Sequence, residues 1–446
     1  MRLLVTNPWN GQAYCLVRDL RPHASRLVVT AYREHGLLGR LAPGAVSRFV
    51  DRVYTVPLAV SDWRRGDGRE QNSDPEERYI RAILEICERE RLDTVFPSWD
   101  PEVFVLSRNK SRFTERAITV PVPKWSSLRR TMDKYSLIEA ATAVGFPCPK
   151  TSLPATRAEA RELAEQLGFP LVVKPRFSAG ARGTHLVTDP PQLAAVLEQV
   201  EPSFGMPILQ EWIPGGQDRR VSVSLTLDRQ GQLVSAQTRR ILRSVFPSFS
   251  SVPAAQVSWE RPDWTADAAR LVRSLDYWGH ARVQLKVDPR DGLGKLLEIN
   301  CRPGFLVWCE IGAGQDVPLL CVRIERGEPV EMTPGPPGPR VFLSPIEDTI
   351  SLCAVLLERA GRRIWPTRWA PPAGDPPLRE VLKEYRETYR APRKILDWYF
   401  RALADDPLAG LAWYGAQLTH IAREPKRLPF ERHAGLVGSP AASHSG

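Results

Sequence analysis

Ala281-Arg-Val-Gln284-Leu-Lys-Val287 and Lys295-Leu-Leu-Glu298-Ile-Asn300 are two runs that alternate apolar and polar residues, joined by a turn over 288–294. A period of two marks a strand, and it places Glu298 and Asn300 on one face with Leu297 and Ile299 on the other. A symmetric hairpin pairing 284 with 298 sets Gln284 across from Glu298 and Arg282 across from Asn300. Three oxygen-bearing side chains then share one patch. Hard Mg²⁺ takes such donors and completes its shell with water and substrate phosphates. Arg302 follows at once and can offer its fork to a phosphoryl group. The plainer account is a hairpin with one wet face, which ordinarily carries mixed charges rather than this set.

Upstream, Pro170-Leu-Val-Val-Lys174-Pro175 runs into Phe177-Ser178-Ala-Gly180-Ala-Arg182-Gly183. A strand ending in lysine, then a loop with two glycines, can hold a polyphosphate by point charge and freed backbone N–H groups. It is not a P-loop, because the lysine precedes the glycines. A strand-end lysine before an ordinary hairpin is the competing account. Lys134 follows Asp133 at a helix start, with Thr131 or Asp133 as the cap. A cation there opposes the helix dipole unless an anion binds beside it. Pro207-Ile-Leu-Gln210-Glu211-Trp212-Ile213-Pro214-Gly215-Gly216-Gln217-Asp218 reads as an apolar strand entering a Pro-Gly turn, either an adenine-lining hinge or a plain β-connection.

The chain has 446 residues, long enough for two or three domains. Its apolar fraction of 43% and charged fraction of 25% exclude a disordered chain, a collagen and a coiled coil. Of 61 basic residues 51 are arginine, and the net charge is +10. Arginine suits carboxylate and phosphate oxygens, although a high-GC genome produces the same bias. Seven scattered cysteines without a C-x-x-C pair fit neither a disulfide framework nor a zinc site. The short apolar run after Met1 cannot form a signal-peptide core, and no segment is apolar for the roughly 18 residues a bilayer span needs. The expectation is therefore a cytoplasmic α/β protein.

Apolar runs at 3–6 and 27–31, a helix over 76–91 with Ile80, Ile83, Leu84 and Cys87 at helical spacing, and a strand over 94–97 predict a parallel sheet for residues 1–115. No G-x-G-x-x-G marks it as a dinucleotide site. Thr333-Pro-Gly-Pro-Pro-Gly-Pro339 reads as a linker within 333–341. Beyond it, helices are expected over 378–389, 393–403 and 408–423, with a frayed end. Their Trp398, Tyr399, Phe400, Trp413 and Tyr414 lie beside Arg386, Arg390, Arg393, Lys394 and Arg401. This predicts either a surface for membrane, RNA or a partner, or a cap whose aromatics pack inward.

Taken in order, D-K-Y, P-L-V-V-K-P, the Gly-rich loop, Q-E-W-I-P-G-G, R-V-Q-L and L-E-I-N-C-R-P-G resemble the ATP-grasp superfamily. The likeness is to its carbamoyl-phosphate-synthase and carboxylate-amine ligase branch, over roughly residues 1–325. Phe96-Pro-Ser-Trp-Asp-Pro-Glu102 is similar to the segment that leads out of that family's N-terminal domain. The resemblance implies a Rossmann-like pre-ATP-grasp domain (1–115) and an ATP-grasp domain (116–332). The latter would comprise a linker helix, a lid subdomain over about 135–205 and a C-terminal subdomain over about 206–332. A helical extension would fill 342–446.

It also implies roles. Lys134 and Lys174 would contact ATP phosphates, with Ser178, Gly180 and Gly183 in the lid loop. Gln210, Glu211, Trp212 and Ile213 would line adenine, with Asp218 (or Gln217) on the ribose. Gln284, Glu298 and Asn300 would bind two Mg²⁺ ions, or Mn²⁺, and Arg302 would steady an acyl phosphate. Arg239, Arg240, Arg243 and Arg282 would clamp a substrate carboxylate, unless the 239–243 run is an exposed edge-strand face. Gln284 replaces the usual acid, which weakens one ion, and Cys301 replaces a proline. The implied activity joins a small carboxylate to an amine at the expense of ATP. It needs no nucleic acid, leaves a homodimer open, and has as its rival a silent ATP-binding scaffold. A dead copy usually loses Glu298 or Asn300, and both are present. His185 and His280 are expected to be structural.

Overall fold

The computed structural model describes residues 1–9, 11–58, 72–178, 180–244, 253–333, 335, 338–359 and 377–423; the side chains of 354, 357–359 and 417–423 are not included. Residues 247–251, part of the expected 333–341 linker and the last dozen residues, expected to fray, lie outside the described residues.

Three sheets organise the chain. The first is parallel, ordered β3-β2-β1-β4, from β1 (Arg2–Thr6), β2 (Arg26–Tyr32), β3 (Arg52–Val56) and β4 (Thr94–Phe96). β1 and β2 are buried almost throughout, which is why both read as unbroken apolar runs rather than alternating ones. Helix Asp74–Glu90 covers the sheet. It starts on a Ser73/Glu76 capping box and stops at Arg91, which takes the left-handed region at φ 51°.

The second sheet is small and antiparallel, ordered β5-β8-β6-β7: β5 (Thr151–Ser152), β6 (Leu171–Lys174), β7 (His185–Val187) and β8 (Ile208–Glu211). Because β8 pairs with both β5 and β6, Gln210 stands on this sheet, beyond the edge expected near 205. The third sheet has seven strands, ordered β13-β12-β9-β10-β11-β14-β15. They are β9 (Arg220–Leu227), β10 (Leu233–Ser244), β11 (Pro253–Ser258), β12 (Gly279–Val287), β13 (Gly294–Asn300), β14 (Val341–Leu343) and β15 (Lys394–Leu396). The expected hairpin register holds: Gln284 faces Glu298 and Arg282 faces Asn300.

The C-terminal extension departs from the expected run of helices. β14 pairs with β11, and β15 lies parallel to β14, so the extension adds two strands to the main sheet. The helix expected over 393–403 opens instead as β15 and begins at Trp398. Asp397 caps it by accepting from the Phe400 N–H at 2.6 Å. Lys-Ile-Leu is short and apolar enough to serve as an edge strand, and the cap fixes where helix resumes.

The extension's aromatics pack inward, and its cations face out. Tyr399 and Trp413 stack at 4.1 Å between ring centroids, and Phe305 stacks on them at 5.4 and 5.3 Å. Helix Gly11–Leu20 begins against this stack: a Cβ on Gly11 would lie 2.6 Å from both Trp413 and Tyr399. Arg386, Arg390, Arg393, Lys394 and Arg401 are exposed. Trp413→Ala removes a buried ring shared by the extension, the first domain and the 302–305 loop. It should cost about 3–5 kcal/mol, read as a lower midpoint in urea unfolding followed by circular dichroism.

Candidate active site

Lys134 stands in the first turn of helix Lys134–Ala143, whose cap Asp133 accepts from the Tyr135 N–H at 3.1 Å. Its Nζ donates to the Ser178 carbonyl at 3.0 Å and to Ser178 Oγ at 3.2 Å, so it sits under the Gly-rich loop. In that loop Gly180 and Gly183 have φ of 62° and 72°, and a Cβ on Gly183 would lie 2.7 Å from Pro175. Ala179 is outside the described residues. Phe177 is buried beside Phe104 and anchors the start of the loop.

Lys174 ends β6 and donates to Gln210 Oε1 at 2.9 Å, while Gln210 Nε2 donates to Thr151 Oγ1 at 2.9 Å. Burial pulls the Lys174 ammonium down to about 8; the Glu298 carboxylate opposes that, and Lys134, Arg220 and Lys286 reinforce it. Burial lowers Lys134 too, again against the pull of Glu298. Glu298 therefore lies in the field of Lys134, Lys174 and Arg220, with Lys286 near Lys174 and with Asp133 and Asp100 also acting on Lys134. Such a site has positive charge to spare for a polyphosphate.

Strand alternation separates the two residues that competed for the adenine position. Gln210 turns to Lys174, whereas Glu211 accepts from the Lys150 N–H at 3.1 Å and from Arg290 Nη2 at 2.5 Å. Trp212 lies under the Lys286 ammonium, 5.8 Å from its ring centroid, and Ile213 is buried. Asp218 is exposed on a 3₁₀ turn spanning Gln217–Arg219.

Arg220 and Lys286 carry no sign of their place in the motifs. They face one another across β9 and β12. Arg220 Nη2 donates to Gln284 Oε1 at 2.6 Å and its Nη1 to Gln217 Oε1 at 3.0 Å. The alternation that singled out Arg282 and Gln284, continued two residues further, reaches Lys286. Arg220 had no such signal, because its role depends on β9 pairing with β12.

One carboxylate and two amide oxygens on a single ribbon face are hard donors, and they fit a magnesium ion that also takes phosphate oxygens. Among the described residues no three His, Cys, Asp or Glu side chains gather into a metal cluster, in keeping with a set that contains only Glu298 as an acid. Gln284 Oε1 has a second lone pair beyond the one that accepts from Arg220, and that one could serve a metal ion.

The four candidate substrate arginines do not form a single clamp. Arg239 and Arg282 both point inward to Glu310 Oε1, at 3.0 and 3.2 Å. Arg243 pairs with Asp348 at 2.8 Å and lies 4.0 Å over the Tyr385 ring, and Arg240 is exposed. Burial raises Glu310, but Arg239 and Arg282 outweigh it and hold its carboxyl well below the usual carboxylate range. Arg302 is gripped by Asp100: Nε and Nη2 donate to the two carboxylate oxygens at 2.8 and 2.7 Å. His280 is buried and pulled down to about 3 by desolvation. His185 is likewise buried, and all seven cysteines are free.

A parallel sheet, a small antiparallel sheet and a large one, with Lys134 at a helix start and Lys174 at the end of β6 set against the Glu298-bearing ribbon of the large sheet, give the chain an ATP-grasp-like fold. Residues 133–329 match the family described as carbamoyl-phosphate synthase L chain, ATP binding domain, and residues 73–121 match the PylC-like N-terminal domain. Residues 133–329, fewer than half of the chain, are similar to that carbamoyl-phosphate-synthase branch. The arginine-specific carbamoyl phosphate synthase large chain of Bacillus subtilis is 24% identical over 225 residues, covering 49% of this chain and 21% of the synthase. The corresponding large chain of Deinococcus radiodurans is 25% identical over 46% of this chain and 20% of its own length. The chain thus spans about a fifth of these synthases. In fold it is similar to the biotin carboxylase domain of Hydrogenobacter thermophilus 2-oxoglutarate carboxylase, with a TM-score of 0.60 at 16% identity over 76% of this chain and 73% of that one. Campylobacter jejuni biotin carboxylase gives 0.59 at 16% identity over 74% and 72%. No helix among the described residues is long and apolar enough to cross a membrane.

Proposed function

We propose that this chain is an ATP-dependent ligase that activates a carboxylate as an acyl phosphate and passes the acyl group to an amine. The observation that carries this is the meeting of Lys134, Lys174 and Glu298 in one partly buried cluster. A carboxylate oxygen attacks the γ-phosphorus of ATP, the bond from that phosphorus to the β–γ bridging oxygen breaks, and ADP leaves. The amine nitrogen then attacks the acyl carbon, loses a proton, and phosphate departs with the electron pair of the C–O bond. Lys134 and Lys174 bind and orient the phosphates, and the Gly-rich loop excludes water above them. Gln210, Trp212 and Ile213 are assigned to the base and Asp218 to the ribose. Glu298, Gln284 and Asn300 would hold Mg²⁺, which when bound cancels phosphate charge. Arg282 and Arg302 are assigned to the acyl phosphate. Residues 1–115, 116–332 and 342–446 serve as substrate-side domain, nucleotide-binding core and brace.

The test is phosphate release from Mg-ATP with amino acids and small carboxylates, singly and in pairs. Turnover is expected to need an acid, and amide product to need both partners. A protein that binds Mg-ATP with no pair stimulating release would be the silent scaffold instead.

A further inference from the structure

The 302–305 loop is contacted from outside the nucleotide-binding core by Tyr399 and Trp413, which stack on Phe305, and by Asp100, which holds Arg302. Asp100 opens helix Asp100–Arg108, directly beyond the carboxyl end of β4 in the first domain. Its carboxylate takes Arg302 side-on, at Nε and Nη2. The two side chains are only 13% and 12% exposed, so the pair is held in a partly desolvated place where its geometry is enforced. Arg302 Nη1 is left without a hydrogen-bond partner among the described residues. Arg282 is held in the same fashion: Nε donates to Ser224 Oγ at 3.2 Å and Nη2 to Glu310 Oε1 at 3.2 Å, again leaving Nη1.

Both spare nitrogens point to one place. A Cβ on Gly304 would lie 3.0 Å from Arg282 Nη1 and 3.7 Å from Arg302 Nη1. Neither nitrogen belongs to the sealed, partnerless polar atoms of the interior. The missing side chain of Gly304 therefore keeps open a point on which two guanidinium donors converge, beside Asn300 and its ribbon face. A fork aimed in this way is worth most when it cannot swing, because an arginine free to rotate spends its orientation on each binding event.

We propose that Asp100 is a positioning residue: by occupying Nε and Nη2 of Arg302 it aims the remaining Nη1, together with Arg282 Nη1, at an anion seated over Gly304. The anion is a phosphoryl group or the phosphate it releases. This rests on the ligase reading above and deepens it. It also makes the first domain part of the reaction centre, since the fork is correctly aimed only while helix Asp100–Arg108 is docked on the 302–305 loop.

The experiment uses the full chain, inorganic phosphate as the probe, and calorimetry at saturating Mg-ADP. Removing a carboxylate next to an anion site strengthens anion binding if charge alone matters. Asp100→Asn is expected to do the opposite: phosphate binds at least several-fold more weakly and turnover falls about 10- to 100-fold. Mg-ADP affinity and the KM for ATP should stay within twofold, showing a folded nucleotide site. Asp100→Glu, which keeps charge and both oxygens, should recover part of both losses. Phosphate binding that is unchanged or tighter in Asp100→Asn overturns the proposal, as does a wild-type protein that binds Mg-ADP but takes up no phosphate. A wild-type protein with no heat of Mg-ADP binding overturns the ligase reading itself, and the positioning role with it.

Discussion

Lys174→Ala is expected to lower ATP turnover about 100- to 1,000-fold, the size seen when one preorganised donor to a developing charge is removed. Lys174 is the cation most enclosed by the others: burial, Lys134, Arg220 and Lys286 all push against its charge, and Glu298 alone favours it. Phosphate would supply the missing counter-charge. In the free protein the ammonium loses its proton near pH 8, so kcat/KM for Mg-ATP should fall above that pH. Stability should move the other way. Between about pH 8 and the unfolded value of 10.5 the unfolded chain holds a proton that the folded chain has shed, so stability rises with pH through that window. Lys174→Arg should shift the kinetic limb upward while Lys174→Ala erases it. Pre-steady-state phosphate release and urea melts across pH 7–10 separate the two effects. A Lys174→Ala protein with ordinary turnover would remove this lysine from the site.

Glu310→Gln is expected to lower stability by about 3–5 kcal/mol, because it leaves buried cations without a counter-charge. Arg239, Glu310 and Arg282 have side-chain exposures of 0%, 1% and 6%. Glutamine keeps the shape and one acceptor oxygen but none of the charge. Replacing Arg239 by Met in the same chain should recover part of the loss, since one of the stranded charges goes with it. The pH dependence follows from the depressed carboxyl: its stabilisation is complete above the ordinary glutamate value of 4.5 and is lost as pH falls below it. The difference between urea midpoints at pH 7 and pH 4 should therefore be smaller in Glu310→Gln than in the wild type. Equal midpoints for both proteins at pH 7 would show that the triad contributes nothing net.

Much of the candidate site was legible in the residues. The period of two in 281–287 and 295–300 specified strands, their faces and the facing pairs Gln284/Glu298 and Arg282/Asn300, which the ladder reproduces. Alternation carries that information because a one-residue slip would turn every apolar side chain to water. The helix cap was legible as Thr131 or Asp133, and the structure chooses Asp133, whose side chain answers an N–H two residues away. The arginine run at 239–243 was not. A strand pattern says that 239 and 240 point to opposite faces, but not that one face is sealed by Glu310 and the other left in solvent. The tail's aromatics were ambiguous in the same way: composition places Trp398, Tyr399 and Trp413 among basic residues, and only packing against Gly11 and Phe305 decides that they form core.

By itself, then, the chain's order of residues determined its α/β class, the strand faces, the lysines and oxygen donors of the candidate site, and the likeness to ATP-grasp ligases. These depend on short-range periodicity and on motif order, which are written along the backbone. Tertiary structure alone decided that Asp100, 202 positions away, holds Arg302, that Arg220 meets Gln284, and that residues 341–343 and 394–396 extend the main sheet. Each of those is a contact across elements, set by which layer covers which face, and no local spacing encodes it.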